Sequence, residues 1–352
     1  MTGLENERLL YLPDEAQVGD QVGPRRAFEQ LVGDGRLGAY EAFSPNPEEA
    51  ATGPSEAKSR LVELAALFQP TIILWSHPGA FPVTRGLLLE LRSVGSSPTV
   101  VLQDMDAWGM LRKRLSTSVR VLAKEANLVY ISGTGSLSRV FRQAGAKRIR
   151  YAFDGFDAAR FGTPWSPPSE RTYDVVMVAN RIRGRLPGTA LPGTWQRARL
   201  VRLLEQQYGS RFALYGSGWE GYESWLGPLA FGEQGNANRS AWVSVSWDHF
   251  PSISNYSSNR LPISLASGIP HVTNYQAGYE QIYPQGSGLH WGKSVRAVAE
   301  MVTVLLAMPK NELLALGESA ANFARAHRSQ EALMVRLLED VSAFRAAAGT
   351  EG

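Results

Sequence analysis

Residues 255–283 read NYSSNRLPISLASGIPHVTNYQAGYEQIY, and this stretch decides how the rest of the chain is parsed. Asn259 suits a helix N-cap, with Arg260 at the first helical position. Pro262 still falls among the first-turn positions whose N–H groups have no intrahelical acceptor. Gly268 ends the helix, residues 271–274 make a strand, and Gly278, Tyr279 and Glu280 open a second helix. An arginine beside the positive end of a helix is unfavourable until an anion joins it. The segment therefore predicts a phosphate or diphosphate at Arg260. A bridge from Arg260 to a carboxylate such as Asp248 is the alternative.

Outward from this segment, short apolar strands alternate with helices in two series. In the first, residues 8–12, 71–75, 99–103 and 128–132 read as strands, between helices near 24–32, 55–68, 83–93, 111–125 and 136–144. Residues 153–170, rich in glycine, proline and serine, interrupt the pattern. It restarts with strands at 174–179, 211–215, 242–247 and 271–274 and helices at 194–208, 295–306, 310–326 and 330–347. Segment 32–54, polar and proline-rich, reads as a flexible loop. The pattern predicts an α/β protein of two Rossmann-like domains facing across a cleft, with ligands at the carboxyl edges of parallel sheets. The expected boundaries are 1–155 for the first domain, 156–172 for a linker and 173–328 for the second domain. Residues 329–352 are a terminal helix able to cross back to the first domain.

Composition narrows the function. The 352 residues suit two domains at about 150 residues each. A net charge of +3 favours anionic ligands such as nucleotides, nucleotide sugars or a nucleic acid, although a basic surface also serves solubility. The chain has no cysteine, which excludes disulfides, thiolate nucleophiles and cysteine-bound metals and agrees with a cytoplasmic enzyme. No run of about 20 apolar residues predicts a membrane span, and the first residues lack the basic and apolar regions of a secretory signal.

Several motifs fall at predicted strand ends. Asn180-Arg181-Ile182-Arg183-Gly184-Arg185 suits phosphate binding by guanidinium groups, or a solvated basic loop. In Tyr215-Gly216-Ser217-Gly218-Trp219 the glycines let a ligand approach the backbone; Trp219 either stacks on a base or sugar or packs inside a plain turn. Asp104 and Asp106 could hold a divalent metal, supply a general base or cap a helix. His77 lies just after a strand, as a base, a phosphate ligand or a plain loop residue, and Asp20 sits in the glycine loop after the first strand. The motif GTGSLS at 133–138 lacks the third glycine of a dinucleotide fingerprint and reads as a tight turn with Ser136 as N-cap. No nucleophile elbow, His-x-x-x-His pair or Gly-Lys-Ser/Thr phosphate loop is present, so hydrolase, zinc-enzyme and ATPase readings are weak.

Residues 126–157, 214–219 and 259–286 resemble, in order and spacing, the GT-B glycosyltransferases, closest to the CgeB-like branch and the broad group-1 (family 4) transferases. The carrying features are the last N-terminal strand and helix with a Gly-x-Asp crossover, the Gly-x-Gly-Trp turn at LYGSGW, and the arginine helix with its Ala-x-Gly-x-Pro turn and Gly-x-Glu opening. The resemblance implies a glycosyltransferase of the hexosyl or a related class that takes a nucleoside-diphosphate sugar such as a UDP-sugar, with no obligatory metal or other cofactor. It also implies that the second domain, 173–328, binds the nucleotide sugar and the first, 1–155, the acceptor; by position, Arg181 or Arg183 and Arg260 would meet the diphosphate, with Asn180 also donor-binding. Tyr215, Gly216, Gly218 and Trp219 would lie near the base, and Gly278, Tyr279 and Glu280 near the ribose or sugar. Relatives place carboxylates where Ile263 and Asn255 stand here, so the ribose contact and retaining chemistry do not carry over. If transfer inverts, the base candidates are Asp104, then Asp106, His77 and Asp20. Two other readings remain open: a transferase acting on a hydroxylated nucleic-acid base, and a non-catalytic module that binds a nucleotide sugar.

Overall fold

Short apolar runs form the strands, and their burial on both faces shows why. Leu9–Leu12 of the first strand, Ile72–Trp75 of the third and the whole of the fourth are buried. Helices covering both faces of a parallel sheet produce this pattern. The computed structural model describes residues 4–94, 97–108, 113–161, 171–182 and 190–349. The chain divides into two units, Met1–Phe153 with Gln330–Gly352, and Asp154–Ser329.

The first unit holds β1 (Arg8–Leu12), α1 (Val22–Gly33), β2 (Ala39–Ala42), α2 (Pro45–Thr52), α3 (Pro54–Phe68), β3 (Ile72–Ser76) and α4 (Arg85–Ser93). It continues through β4 (Thr99–Asp104), α5 (Thr117–Glu125), β5 (Leu128–Ile131), α6 (Ser136–Gln143) and β6 (Ile149–Tyr151). The six strands are parallel in the order β2-β1-β3-β4-β5-β6. The register sets Leu12 opposite Trp75 and Ser76 opposite Gln103, so β1, β3 and β4 end within two residues of one another. The segment read as a flexible loop in fact carries β2 and α2. Its tyrosine tells why: Tyr40 packs at a tilt against Phe28 at 5.2 Å, anchoring a strand that has no large aliphatic side chain of its own.

The second unit holds α7 (Ala158–Phe161), β7 (Tyr173–Val178), α8 (Thr194–Tyr208), β8 (Phe212–Tyr215), α9 (Gln234–Arg239) and β9 (Ala241–Val245). After these come α10 (Arg260–Ala266), β10 (His271–Asn274), α11 (Tyr279–Ile282), β11 (Leu289–Gly292), α12 (Val295–Leu306) and α13 (Lys310–His327). The sheet order is β11-β10-β9-β7-β8, again all parallel. The last helix, α14 (Gln330–Gly349), belongs to the first unit, where Leu333, Met334, Leu337, Leu338 and Val341 join Phe28 and Leu31 in one core. Among the described residues no helix is long and apolar enough to cross a membrane.

Two expected caps differ from the structure. Asn259 has helical backbone angles and its side chain makes no cap bond; Ile263 N instead donates to the Asn259 carbonyl at 3.1 Å. At α6 the cap is Gly135, with Ser136 already inside the helix, because a φ of 65° is needed there and glycine supplies it.

Candidate functional site

At the carboxyl edge of the second sheet two guanidinium groups gather around one carboxylate. Arg197, on α8, is buried and spans two loops: its Nε donates to Trp247 O at 2.7 Å and its Nη1 to Asn180 O at 2.6 Å. The same Nη1 donates to His249 Nε2 at 2.7 Å, which leaves the imidazole proton on Nδ1, facing Thr194 Oγ1 at 3.3 Å. Burial, and then the neighbouring Arg197 charge, push the His249 pKa down to about 3, so this histidine is neutral and structural. Burial also lowers Arg197, to about 10, with Asp248 opposing the shift; it stays a cation at neutral pH. Asp248 is buried and its pKa is raised by desolvation, against the pull of Arg197. Its N–H donates to Asn274 Oδ1 at 2.6 Å, and the Tyr279 hydroxyl reaches its Oδ2 at 3.4 Å.

Arg260 opens α10 beside this cluster. Burial lowers its pKa, and the Asp248 charge is the largest influence opposing that. The expected alternative, an ion pair with Asp248, does not form: among the described residues no salt bridge reaches Arg260, and its Nε is buried without a hydrogen-bond partner. A buried polar group left unpaired costs about 1–3 kcal/mol, more when charged, so the side chain is poised for an anion. The helix itself, only seven residues long, adds little dipole, and α11 has four.

The glycine loop after β8 is zipped to the loop after β7. Ala179 N donates to Tyr215 O at 2.9 Å, Arg181 N to Ser217 O at 2.8 Å, and Ser217 N to Asn180 Oδ1 at 3.0 Å. Gly216 and Gly218 are required by this approach, since a Cβ would meet Ala179 O at 2.2 Å and Arg181 O at 2.3 Å. Trp219 therefore cannot stack on a base. It is fully buried, its Nε1 donates to Ala179 O at 2.6 Å, and it packs edge-on against Tyr222. The Arg181 guanidinium lies over its ring at 5.6 Å. Tyr215 is partly exposed at the sheet edge. Arg183 lies outside the described residues.

The Gly278 turn is equally constrained. Its φ is 96°, and a Cβ would meet Asn255 Oδ1 at 1.6 Å. Asn255 itself has a φ of 60° and donates from its N to Ala277 O at 2.7 Å, so it is built into the turn. Ile263 is fully buried in a core with Leu261, Leu265 and Tyr283 and reaches no ligand. Tyr279 is buried too, leaving only its backbone for a ligand. Glu280 is exposed, hydrogen-bonds the Tyr275 hydroxyl, and lines an open cavity of about 490 Å³ with Tyr283, His290, Trp291 and Met301.

The first sheet ends in a different chemistry. His77 follows β3 and Asp104 ends β4; His77 Nδ1 and Asp104 Oδ2 are 3.1 Å apart. Asp104 is fully buried, and its Oδ1 accepts from Asp106 N and Trp108 Nε1, both at 3.0 Å. Both Asp104 oxygens have hydrogen-bond partners, and through Oδ2 the carboxylate holds the His77 ring. The His77 ring stacks on Trp108 at 5.6 Å. Burial acts to lower the His77 pKa, but the hydrogen bond and charge of Asp104, helped by Asp14 and Asp106, outweigh it and raise the value. Asp106 is spent on Lys113 at 2.9 Å. Asp20 is exposed and accepts from Gln17 N at 3.1 Å within its own loop.

Sequence reading missed Asp14, Asn46, Trp108, Arg197 and His249. Trp108 and Asp14 left a faint signal, each a few residues past a strand. Arg197 lies inside a helix, where only the fold could reveal its two loop contacts.

The two all-parallel α/β units in one chain have the GT-B fold. Residues 196–339 match the family described as glycosyl transferase-like. Among solved structures the chain is similar to HepE from Anabaena in complex with UDP and glucose, with a TM-score of 0.59 and 14% identity over 96% of this chain and 100% of that one. It is similar to sucrose-phosphate synthase from Thermosynechococcus elongatus, with a TM-score of 0.61 and 14% identity over 97% and 100%. A trehalose 6-phosphate synthase from Burkholderia multivorans gives 0.56 and 12% over 97% and 99%. No curated protein matches the sequence significantly.

Proposed function

We propose that the protein transfers a sugar from a nucleoside-diphosphate sugar, with a UDP-sugar the first to try, to an acceptor hydroxyl. The observation that carries this reading is Arg260, a partly buried cation with no partner among the described residues at the carboxyl edge of a GT-B second unit. Arg260 and Arg181 would bind the diphosphate, and Arg197 would fix the loops that present them. The glycosyl transferase-like match over 196–339 supports the same assignment, as do the UDP-bound structures it resembles in fold. In the first unit His77 would be the general base. Its Nδ1 is held by Asp104, so Nε2 is the nitrogen that takes the proton from the acceptor hydroxyl. The acceptor oxygen bonds to the anomeric carbon, the bond from that carbon to the diphosphate oxygen breaks, and the nucleoside diphosphate leaves with the electron pair. Arginines stabilise the leaving charge, so the chemistry needs no obligatory metal or other cofactor.

Thermal shift with a panel of nucleotide sugars, followed by product analysis with the best binder, tests the reading. A donor at about 100 times its Kd adds roughly 2.7 kcal/mol of stability. The absence of any shift from UDP, GDP and their sugars would end the proposal. One observation favours a second reading, a module that binds a nucleotide sugar without transferring it: Ile263 is sealed in the core where relatives carry a carboxylate. Binding without any glycosylated product would select it.

A further inference from the structure

The proposed acceptor site carries a charge that selects its substrate; this inference rests on reading His77 as the base. The first sheet places Asp14, His77 and Asp104 at one edge. Leu12 pairs with Trp75 and Ser76 with Gln103; Asp104 ends β4, while His77 and Asp14 follow β3 and β1 in the loops beyond. Asn46, on α2, locks two of the loops together: its Oδ1 accepts from Phe81 N at 3.1 Å and its Nδ2 donates to Asp14 Oδ1 at 3.5 Å. The charged groups nearby are otherwise engaged. Asp104 holds His77, Asp106 holds Lys113, and the buried Glu15 holds Arg25 at 2.6 Å. Asp14 differs: it is half-buried, and among the described residues no cation forms an ion pair with it. Burial raises its pKa, and the charges of Asp106 and Asp104 add to that against the pull of His77. It is a carboxylate one strand from the base, without a strong donor of its own.

We propose that Asp14 is an acceptor-binding residue and that the acceptor is a neutral or amine-bearing polyhydroxy compound, not a phosphorylated one. Hydroxyl or ammonium hydrogens of the acceptor satisfy Asp14 while His77 takes the proton of the reacting hydroxyl. A phosphate in the same place would meet like charge at Asp14, and no cation among the described residues is ion-paired with Asp14 to offset it. The same repulsion disfavours a nucleic-acid backbone, and with it the reading of a hydroxylated base as acceptor.

The test uses UDP-glucose as donor and four acceptors: methyl glucoside, glucosamine, glucose 6-phosphate and hydroxymethylated duplex DNA. Product forms with the first two and not with the last two. Asp14→Asn raises the acceptor KM roughly tenfold, the loss of one hydrogen bond to a charged group, while the Kd for UDP stays the same. Preference for glucose 6-phosphate or DNA, or an unchanged acceptor KM in Asp14→Asn, overturns the proposal. If UDP-glucose yields no product with any acceptor, saturation-transfer NMR with the same four compounds decides instead. Glucosamine or methyl glucoside binding that is lost in Asp14→Asn supports the assignment. Binding of none of the four, or tighter binding of glucose 6-phosphate, overturns it. A protein that fails to bind UDP but passes the NMR arm refutes the nucleotide-sugar reading alone.

Discussion

The two sheets are built alike and end in opposite chemistry. Each is all-parallel, with helices on both faces and loops at one edge. The first sheet delivers a raised-pKa histidine among aspartates, His77 with Asp14, Asp104 and Asp106. The second delivers Arg197 and Arg260 around the single buried Asp248. The architecture is thus neutral about function; the loop residues set the sign of the field at each edge. An acidic edge with a base suits removal of a proton from an uncharged hydroxyl. A cationic edge suits a diphosphate that gains charge as it leaves.

The sharpest way to break this division is to remove the base. His77→Ala should lower kcat by roughly 10²–10⁴-fold while leaving UDP affinity unchanged, as expected for a lost general base. Asp104→Asn should reduce turnover too, since an amide no longer accepts a proton from both Trp108 and His77 in the same tautomer. Comparable losses of UDP affinity in these variants would mean that the edge belongs to the donor, and the comparison fails.

Next in size is the donor edge. Arg260→Met should weaken UDP binding by roughly 10- to 150-fold, the range of one charged hydrogen bond lost, with a smaller loss for Arg260→Lys, which keeps the charge without the planar fork. Calorimetric titration measures both. An Arg260→Met protein that binds UDP like the wild type would remove the observation on which the proposed function stands.

How far the sequence could show this division differs between the two edges. Strand positions were legible because each buried run is apolar and short, and Arg8–Leu12 coincides with its sequence-based span to the residue. Arg260 was legible because its argument is local, an arginine at a helix opening. The dyad was not, because His77 and Asp104 are 27 residues apart and meet only through the β3–β4 register. Trp219 shows the converse. Its motif suggested a ligand platform, yet the glycines beside it serve backbone approach to Ala179 and Arg181, and that closure buries the indole. Strand β2 escaped notice because AYEA has little apolar character and depends on Tyr40 packing against Phe28.

The smallest expected effect separates the edges by pH. His77 has a pKa raised above 6.5, whereas His249 and His271 are pushed down to about 3 by burial. The signs are opposite. A raised histidine favours the protonated fold, so its stabilisation is fully present below pH 6.5 and is lost as pH rises through its folded pKa. A depressed histidine favours the neutral fold, so stability is complete above pH 6.5 and falls as pH drops toward 3. Burial, and then the charge of His290, hold His271 neutral; its ring meets three hydroxyls, Ser244 and Ser264 at Nδ1 and Ser246 at Nε2, and none carries a compensating charge. Lowering the pH from 7.5 to 5 should therefore loosen the second unit before the first. Hydrogen exchange followed by mass spectrometry resolves the two: protection should drop in β9 and β10 while β3 and β4 hold theirs. Equal loss in both sheets would show that His77 gains nothing from Asp104, and would take away the physical basis for treating it as the tuned base.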